Sequence, residues 1–383
     1  MRVRRSAVIA GTVGILLVAF AVVLKFLIVP LATRLPGDTD LTVGYEGTAT
    51  LLDSEALQAG DVKAALRTDV PITVDRHVVA LSTDGDTAVI EDSLAVKAKD
   101  LRLPASTYTY AVDRSTLRGV EVPAPAVPGV EPAHGALTSA FPISPAKDDR
   151  YTYYDPVTRT VVPVHYSGTD SRGGRTVNVY RFSAEGPVRN AALLKELPAG
   201  LPRNLVGTLA PLLPAEAVAA FTPAAVAALP DPVPMTFTAS TDIVAYVDEQ
   251  TGVAIDETIA QQVVAHTSVA DKDVALLPVL ALDFHITQAS IEDLADTAAS
   301  AGLLLTLVGL VAPLLLLVLG LLLVVYAVLR RSPPVSAGDA DDADGLAHEA
   351  EDGTGSENES SRGTDQTVGA TAEETAPSGS AAP

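Results

Sequence analysis

The segment AYVDEQTGVAIDE, residues 245–257, predicts the fold of the largest part of the chain. Tyr246, Val253 and Ile255 alternate with small or polar residues at a period of two, as half-buried strands do. Between the two runs lies DEQTG (248–252), a short polar loop with Gly near its end, as a hairpin loop with a left-handed residue requires. The segment therefore predicts two antiparallel strands joined by a tight turn.

Two other segments repeat this turn, AVDRSTLRGVEV (111–122) and YYDPVTRTVVPV (153–164). Each has an aromatic or apolar residue, then Asp, then Thr three residues later, then a β-branched return. The Asp side chain can bond the turn backbone and the Thr can cap the loop, so the spacing predicts hairpins of fixed register.

Alternating segments rich in Val, Thr, Ile, Tyr and Phe recur along residues 41–287 and are mostly separated by Asp, Gly or Asn turns. This pattern predicts an antiparallel meander. The predicted strands are 41–52, 70–83, 87–98, 108–113, 158–168, 175–185, 234–248, 252–269 and 279–287.

The predicted sheet is interrupted by residues 191–234, which are rich in Ala and Leu and punctuated by Pro. We expect short helices near 191–197 and after Pro202, Pro214 and Pro223, since Pro is favoured in the first helical turn. Three interpretations stay open: a cover for the sheet, a lid over an apolar cavity, and a surface that contacts the membrane or a partner. As a cover for one face of the sheet, the helices would fill the space beneath them; as a lid, they would leave an apolar cavity of several hundred cubic ångströms. The side chains that would fill the space are Leu193, Leu194, Leu205, Leu209 and Phe221.

Two apolar runs, 6–29 and 301–329, are each long enough to span a bilayer as a helix. The first has a basic start but exceeds the usual length of a signal-peptide core and has no clean cleavage site before Pro30, so we predict an uncleaved anchor rather than a signal peptide. Pro313 is a candidate kink in the second run. A predicted amphipathic helix, 290–300, with Ser290 as its N-cap, leads into the second run.

Charge bias sets the expected topology. Arg2, Arg4 and Arg5 precede the first run, and Arg330 and Arg331 follow the second. The positive-inside rule then places residues 1–5 and 330–383 in the cytoplasm and 30–300 outside the plasma membrane. We expect Lys25 to snorkel to the headgroups, and Ser6, Ala10 and Gly14 to form a small-residue stripe at which the two spans pack.

Composition excludes several classes of protein. The chain has no Cys, which rules out disulfides and thiolate metal sites, and a net charge of −21, which disfavours nucleic acid. Twelve acidic residues against one Arg lie in 332–383, and we expect the tail 330–383 to be disordered.

No catalytic, cofactor or metal site is predicted from motifs. Asp283 and His285 share one face of a strand, and the simplest interpretation is a solvated ladder. Four acidic residues lie around one turn without the order of a calcium loop; they are Asp84, Asp86, Glu91 and Asp92. Tyr151 and Tyr153 share a face and are expected in the core. We therefore predict that the protein is not an enzyme and has no cofactor.

The order of these parts resembles an actinobacterial family of unknown function called the PorA-like porin family. The likeness covers residues 1–331 and rests on the first span ending at Val29-Pro30 and on three segments. These are YEGTATLLD (45–53), YTYYDPVTRTVVPVHYSGTDSRGGRTVNVYRF (151–182) and TDIVAYVDEQTG (241–252). Tyr154 stands where Trp is expected. The resemblance implies a channel, although the second span has no polar stripe and the strands lack repeated aromatic girdles.

These observations predict an α+β protein with a mainly antiparallel β domain, a helical insertion at 191–234 and a transmembrane helix at each end. We expect a non-enzymatic envelope protein whose partners are the bilayer and an envelope lipid or protein, acting as a scaffold or binding an apolar ligand. The alternatives are a porin-like channel and an envelope hydrolase. The hydrolase would need a buried Asp283–His285 pair beside an exposed Ser in a cleft.

Overall fold

The computed structural model describes residues 5–53, 56–57, 59, 61–99, 101–102, 105–121 and 129–330. The predictions for Arg2, Arg4, Arg331 and the acidic tail lie outside these residues.

Most of the described strands agree with the alternating segments, although the last one begins at Lys272 rather than at the predicted 279. They are β1 (Asp40–Leu52), β2 (Leu66–Asp84), β3 (Thr87–Ala98), β4 (Leu101–Arg102), β5 (Ser106–Asp113), β6 (Val130–Glu131), β7 (Thr152–Asp155), β8 (Thr160–Pro163), β9 (His165–Arg172), β10 (Arg175–Pro187), β11 (Gly200–Leu201), β12 (Val233–Pro234), β13 (Thr236–Asp248), β14 (Ala254–Val269) and β15 (Lys272–Ile286).

The described helices lie mainly at the two ends of the chain and within the insertion. They are α1 (Arg5–Val23), α2 (Val29–Ala32), α3 (Val62–Ala65), α4 (Ala191–Glu196), α5 (Arg203–Leu209), α6 (Ala215–Ala220), α7 (Pro223–Ala228), α8 (Gln288–Thr306) and α9 (Ala312–Leu329). Two π-helical turns, Leu24–Ile28 and Leu307–Val311, make α1–α2 and α8–α9 continuous.

One large sheet has the order β6-β5-β3-β2-β1-β15-β14-β13-β10-β9, with β4 beside β3. The antiparallel prediction is confirmed, but the sheet consists of two meanders rather than one. They are joined where β1 pairs with β15, with Tyr45 opposite Ile286. The ends of the β domain thus pair with each other at the centre of the sheet.

The prediction of a single strand over residues 158–168 is wrong. It divides into β8, which forms a separate hairpin with β7, and β9, at the edge of the large sheet. The division falls at Pro163, which has no backbone N–H to donate. The next residue, Val164, donates its N–H to the carbonyl of Tyr151.

Strand alternation buries one face of the large sheet, here called the inner face. Ile243, Ala245 and Val247 of β13 are buried on it, and the register aligns this face with buried residues of β14, β15 and β1. The opposite, outer face carries exposed polar residues such as Asp283 and His285.

Residues 133–164, here called the crossing segment, run over the inner face. Tyr154 packs against Tyr110 of β5, with ring centroids 6.3 Å apart, and Phe141 stacks on Tyr180 of β10 at 4.6 Å. Because β5 and β10 are near opposite edges of the sheet, the sheet must curve around the crossing segment.

The helices α4–α7 begin close to their predicted positions, near 191 and after Pro202, Pro214 and Pro223, and cover another part of the inner face. Leu205, Leu209 and Phe221 pack with Val263 and its neighbours. Leu193 also joins this cluster, whereas Leu194 is exposed. Four of the five predicted side chains therefore pack beneath the helices, which supports the interpretation as a cover over that of a lid.

The second long helix, Gln288–Leu329, is continuous. Its first part lies on the sheet, where Leu294, Ala295 and Ala298 pack with Ile286 and Ile255. Its N-cap is Thr287 rather than Ser290, because the Thr287 side chain accepts a hydrogen bond from the Ser290 N–H.

The helix Ser6–Ala32 packs against this second helix along small residues. Gly14 and Gly320 meet so closely that a Cβ on either would overlap the carbonyl oxygen of the other. Ala7 and Ala21 are buried at intervals of seven residues on either side of Gly14. The predicted stripe is thus correct at Gly14, but Ser6 is exposed. A period of seven keeps one face of a helix on its partner, which a period of four does not.

That Lys25 snorkels to the headgroups stays a prediction, and its side chain also contacts the second long helix. Its Nζ donates a hydrogen bond of 2.8 Å to the carbonyl of Gly309. Lys25 and Gly309 lie in the two π-helical turns, so these turns face each other across the helix pair.

Candidate functional site

The three Asp-x-x-Thr turns share one set of hydrogen bonds, as their spacing predicts. In each turn one carboxylate oxygen of the Asp accepts from both the backbone N–H and the hydroxyl of the Thr. The Thr hydroxyl distances are 2.8 Å for Asp113 to Thr116, 2.6 Å for Asp155 to Thr158, and 2.8 Å for Asp248 to Thr251. The same turn geometry therefore occurs at all three of these predicted turns.

Two of these turns, at Asp113 and Asp248, lie at the end of the sheet from which both long apolar helices emerge, here called the helix end. Gln250, at the tip of the β13–β14 turn, donates from Nε2 to the carbonyl of Gly302 and the hydroxyl of Thr306, both at 2.8 Å. The β13–β14 turn is therefore bonded directly to the second long helix.

The same turn also holds the crossing segment in place. Gly252 has φ of 77°, and an added Cβ would overlap the carbonyl oxygens of Phe141 and Pro142. The Ser144 N–H donates to the carbonyl of Gln250 at 3.1 Å. Only glycine combines this backbone conformation with so close an approach.

A cavity of about 320 Å³, here called the apolar cavity, lies between the crossing segment and the inner face at the helix end. Its walls are mostly aliphatic side chains. They include Leu35, Leu41, Val43, Val78, Ile90, Val112, Leu117, Ile143, Val253, Ile286 and Leu294.

Residues 33–36, which directly follow the first long helix, form one wall of this cavity. Arg34 forms an ion pair of 2.6 Å with Asp86, and Arg114 donates from Nε to the carbonyl of Leu35 at 2.8 Å. These contacts attach the connection between helix and sheet to the β2–β3 and β5 turns. The apolar cavity is therefore adjacent to the point where the chain leaves the first helix.

Five polar residues, here called the polar cluster, lie at the inner end of the apolar cavity: Tyr45, Arg76, Asp92, Ser139 and Glu257. Arg76 donates to both oxygens of Asp92, at 3.0 and 2.7 Å, and its Nη1 lies 3.4 Å from Glu257 Oε2. The hydroxyl of Tyr45 donates to the same Glu257 oxygen at 2.9 Å, and the hydroxyl of Ser139 donates to Asp92 at 2.6 Å.

The two carboxyl groups of the polar cluster differ in pKa. Burial alone would raise the pKa of Asp92, but the charge of Arg76 and the hydrogen bonds from Arg76 and Ser139 outweigh it and lower the pKa. Burial raises the pKa of Glu257 above its ordinary value, and Arg76 and Tyr45 offset only part of this. Asp92 is thus the permanent counter-ion of Arg76, and Glu257 is the group that can be neutral.

A second cavity of about 140 Å³, here called the inner cavity, lies beyond the polar cluster along the inner face. Both cavities are lined by Arg76, Thr138, Ser139 and Glu257. The inner cavity is more polar and is also lined by Asp92, Ser106, Tyr108, Tyr153, Thr241 and Gln261. The polar cluster therefore stands between an apolar and a more polar compartment.

The motif-based candidates have other positions. Asp283 and His285 are exposed on the outer face, where His285 lies 3.8 Å from Glu46, as a solvated ladder predicts. Tyr151 packs on Phe141 in the core, as predicted. Within the described residues, no cluster of three or more His, Cys, Asp or Glu could hold a metal ion.

Sequence motifs did not indicate the polar cluster, because its members come from five separate segments. Asp92 was grouped with a nearby acidic turn, although alternation along β3 places it on the inner face. The sequence signal that could have indicated the cluster is a charged residue at a position of a strand where alternation predicts a buried apolar side chain. Arg76 follows Val74 at a spacing of two, and Glu257 stands between Ile255 and Ile259.

Together these features define an α+β protein, as predicted, with a buried polar cluster between two cavities and with two helices long and apolar enough to cross a membrane. A family model described as Porin PorA matches residues 6–329, and the chain belongs to this family. The predicted family resemblance is therefore confirmed, and membership together with the two helices indicates association with a membrane. Curated proteins contain no match to the chain.

Among solved structures, a putative oleoyl thioesterase from Lactobacillus plantarum is similar over 66% of this chain and 77% of its own. The sequence identity is 12% and the TM-score is 0.12. A similarity at this level says nothing about the fold or the chemistry of the present chain.

Proposed function

We propose that this protein is a non-enzymatic membrane-anchored binder of lipid, which holds an acyl chain in the apolar cavity. The observation that carries the proposal is a cavity of about 320 Å³ with aliphatic walls at the helix end of the sheet. Pockets of this size and lining bind apolar molecules, because water inside them finds few hydrogen-bond partners.

The position of the cavity supports a ligand drawn from the bilayer. Leu41 and Ile143 line the cavity and are exposed, so the cavity reaches the surface near residues 33–36. With both termini cytoplasmic, as the flanking Arg residues predict, this opening faces the outer surface of the plasma membrane. An acyl chain could then move from bilayer to cavity over a short distance.

The polar cluster favours binding over catalysis. Ser139 is its only aliphatic hydroxyl, and that hydroxyl donates to Asp92, whose lowered pKa makes it a poor base. An activated nucleophile needs a base of pKa near the working pH. We therefore propose neither an enzymatic activity nor a cofactor.

A channel is the second candidate, and the description of the family as a porin is the observation that favours it. Within the described residues the large sheet has two edges, at β6 and β9, so a conducting path would have to lie along the helices. Steady single-channel steps from the purified protein in planar bilayers would favour this candidate.

Native mass spectrometry of the full chain, released from detergent, tests the lipid proposal. We expect the wild type to carry co-purified lipid. Val78→Phe places a ring in the apolar cavity, and this variant should lose the adduct while keeping or raising its melting temperature. Val161→Phe adds the same ring at an exposed position and should keep the adduct. Lipid-free wild type in repeated preparations, or an unchanged adduct in Val78→Phe, would contradict the proposal.

A further inference from the structure

Two hydroxyl groups in the inner cavity are buried and unpaired. Among the described residues, Thr138 Oγ1 and Thr241 Oγ1 have no hydrogen-bond partner, and the two residues are 8% and 5% exposed. Both line the inner cavity, and Thr138 also lines the apolar cavity. Buried polar atoms are nearly always paired, so these hydroxyls are candidates for contact with a ligand.

The charges around these hydroxyls disfavour an anionic ligand. Of the residues that the structure describes, Arg76 is the only cation that lines the inner cavity, and Asp92 and Glu257 already accept one hydrogen bond from each of its nitrogens Nε, Nη1 and Nη2. A phosphate or carboxylate could reach only the two N–H groups of Arg76 that remain, and it would be repelled by Asp92. Asp92 balances the charge of Arg76, and Glu257 adds no charge when it is neutral and one negative charge when it is ionised, so the polar cluster offers no net positive charge to a ligand.

We infer that the ligand is an amphiphile with an uncharged, hydroxyl-bearing head. Its head occupies the inner cavity and bonds Thr138 and Thr241, and its acyl chain passes the polar cluster into the apolar cavity. Residues 138–141 line both cavities and form the common wall along which the ligand lies. This inference rests on the proposed lipid-binding function and adds the chemistry of the head.

Three probes with one oleoyl chain separate the head from the chain: monooleoylglycerol, lysophosphatidic acid and methyl oleate. Binding to the full chain is measured by native mass spectrometry in lauryldimethylamine oxide, a detergent without hydroxyl groups. We expect monooleoylglycerol to bind at least about tenfold more tightly than lysophosphatidic acid. The phosphate of lysophosphatidic acid would lose its hydration and would be repelled by the carboxylate of Asp92, and either cost weakens binding by at least this factor.

Thr138→Val keeps the shape of the side chain and removes its hydroxyl. This variant should bind monooleoylglycerol about fivefold more weakly, the effect of one neutral hydrogen bond, and methyl oleate within about twofold of wild type. Its melting temperature should not fall, because the lost hydroxyl has no partner in the protein. Thr241→Val is the second variant, and Thr73→Val, on an exposed part of β2, is the matched control.

The outcomes separate the two proposals. If none of the probes binds, the lipid-binding function itself is wrong. If all three bind alike, if lysophosphatidic acid binds most tightly, or if neither Thr variant weakens the binding of monooleoylglycerol, the apolar cavity remains a lipid site and the inference about the head is wrong.

Discussion

At the scale of single residues, the least expected feature is a set of charges on an otherwise apolar face. Arg76 and Asp92 form a bidentate pair with side chains 16% and 6% exposed, and Glu257 is the additional carboxyl group. Removing ions from water is costly, so a buried third charge rarely persists for stability alone. Its location between two cavities supports a role in ligand binding instead.

Glu257→Gln should change how stability depends on pH. The pKa of Glu257 is raised from 4.5 in the folded state, so the folded protein holds this proton more tightly than the unfolded chain. The stabilisation is complete below pH of about 4.5 and is lost as pH rises through the folded pKa. The melting temperature of Glu257→Gln relative to wild type should therefore increase from pH 4.5 upward and then level off.

Asp283→Asn is the control for this measurement, because it removes an exposed carboxylate from the outer face. Its melting temperature relative to wild type should stay constant over the same range. A constant difference for Glu257→Gln as well would contradict the raised pKa of Glu257.

The sequence contained part of this information at the residue scale. Alternation in β2 and β14 predicts that Arg76 and Glu257 face inward, since each continues an apolar series at a spacing of two. Their meeting depends on the register between β2, β1, β15 and β14, which non-local pairing sets. The β1–β15 pair joins residues more than two hundred positions apart, and no local pattern specifies it.

At the scale of elements, the Asp-x-x-Thr turns have the same internal hydrogen bonds but differ in burial. The turn at Thr116 is exposed, whereas Thr251 is buried beside the crossing segment, with its Asp248 paired to Arg175 at 2.9 Å. The local hydrogen bonds are alike, so the surroundings should decide what each turn contributes to stability.

Thr251→Val and Thr116→Val delete the same hydroxyl from two equivalent turns. At Thr251 the change leaves a buried acceptor of Asp248 short of one bond, so we expect a loss of about 1–3 kcal/mol in the free energy of unfolding. At Thr116 water replaces the bond, and the loss should be within about 0.5 kcal/mol. Chemical denaturation of both variants measures the difference, and equal losses would show that burial of the turn is unimportant.

Gly252→Ala tests whether the β13–β14 turn positions the crossing segment. The added Cβ would overlap two backbone carbonyls, so we expect lower thermal stability and loss of bound lipid together. Gly85→Ala is the control, because Gly85 has a φ of 55° but open space around it. This variant should lose only about 1 kcal/mol in the free energy of unfolding and should keep the lipid. Lipid retained by Gly252→Ala at wild-type levels would show that the crossing segment does not form the cavity wall.

The elements themselves were largely predictable. The alternating segments predicted the strands because each has one buried face, and Pro positions predicted the short helices α5–α7. The crossing segment was not predictable as a unit, since residues 133–151 contain no extended helix or strand pattern and are held by contacts with distant strands. The cavity beneath it follows from those contacts, so the alternative of a lid at residues 191–234 did not locate it.

At the scale of the whole molecule, the β domain and the two long helices are directly bonded. Gln250 joins the β13–β14 turn to the second helix, and the linker 33–36 joins the first helix to the β5 turn. The apolar cavity lies between the β13–β14 turn and the linker 33–36, and each of these is attached to one long helix. Its shape should therefore depend on how the two long helices pack.

Paired cysteines test this helix packing, and the absence of natural cysteine makes the result clear. An added Cβ at Gly11 would lie 3.2 Å from the Cβ of Ala327, close to the separation in a disulfide. Gly11→Cys with Ala327→Cys should therefore form an intramolecular disulfide under mild oxidation in membranes. Gly11→Cys with Leu322→Cys is the control, since Leu322 is exposed. Equal cross-linking of both pairs would contradict the packing.

Photolabelling with a lipid tests the central claim most directly. The full chain in membranes is given an oleoyl lipid with a diazirine on the acyl chain, is irradiated, and is mapped by peptide mass spectrometry. We predict labels on residues of the apolar cavity, foremost Leu41, Val43, Val78 and Ile286, and their loss in Val78→Phe but not in Val161→Phe. Labels confined to the two long helices, and unchanged in Val78→Phe, would contradict the account.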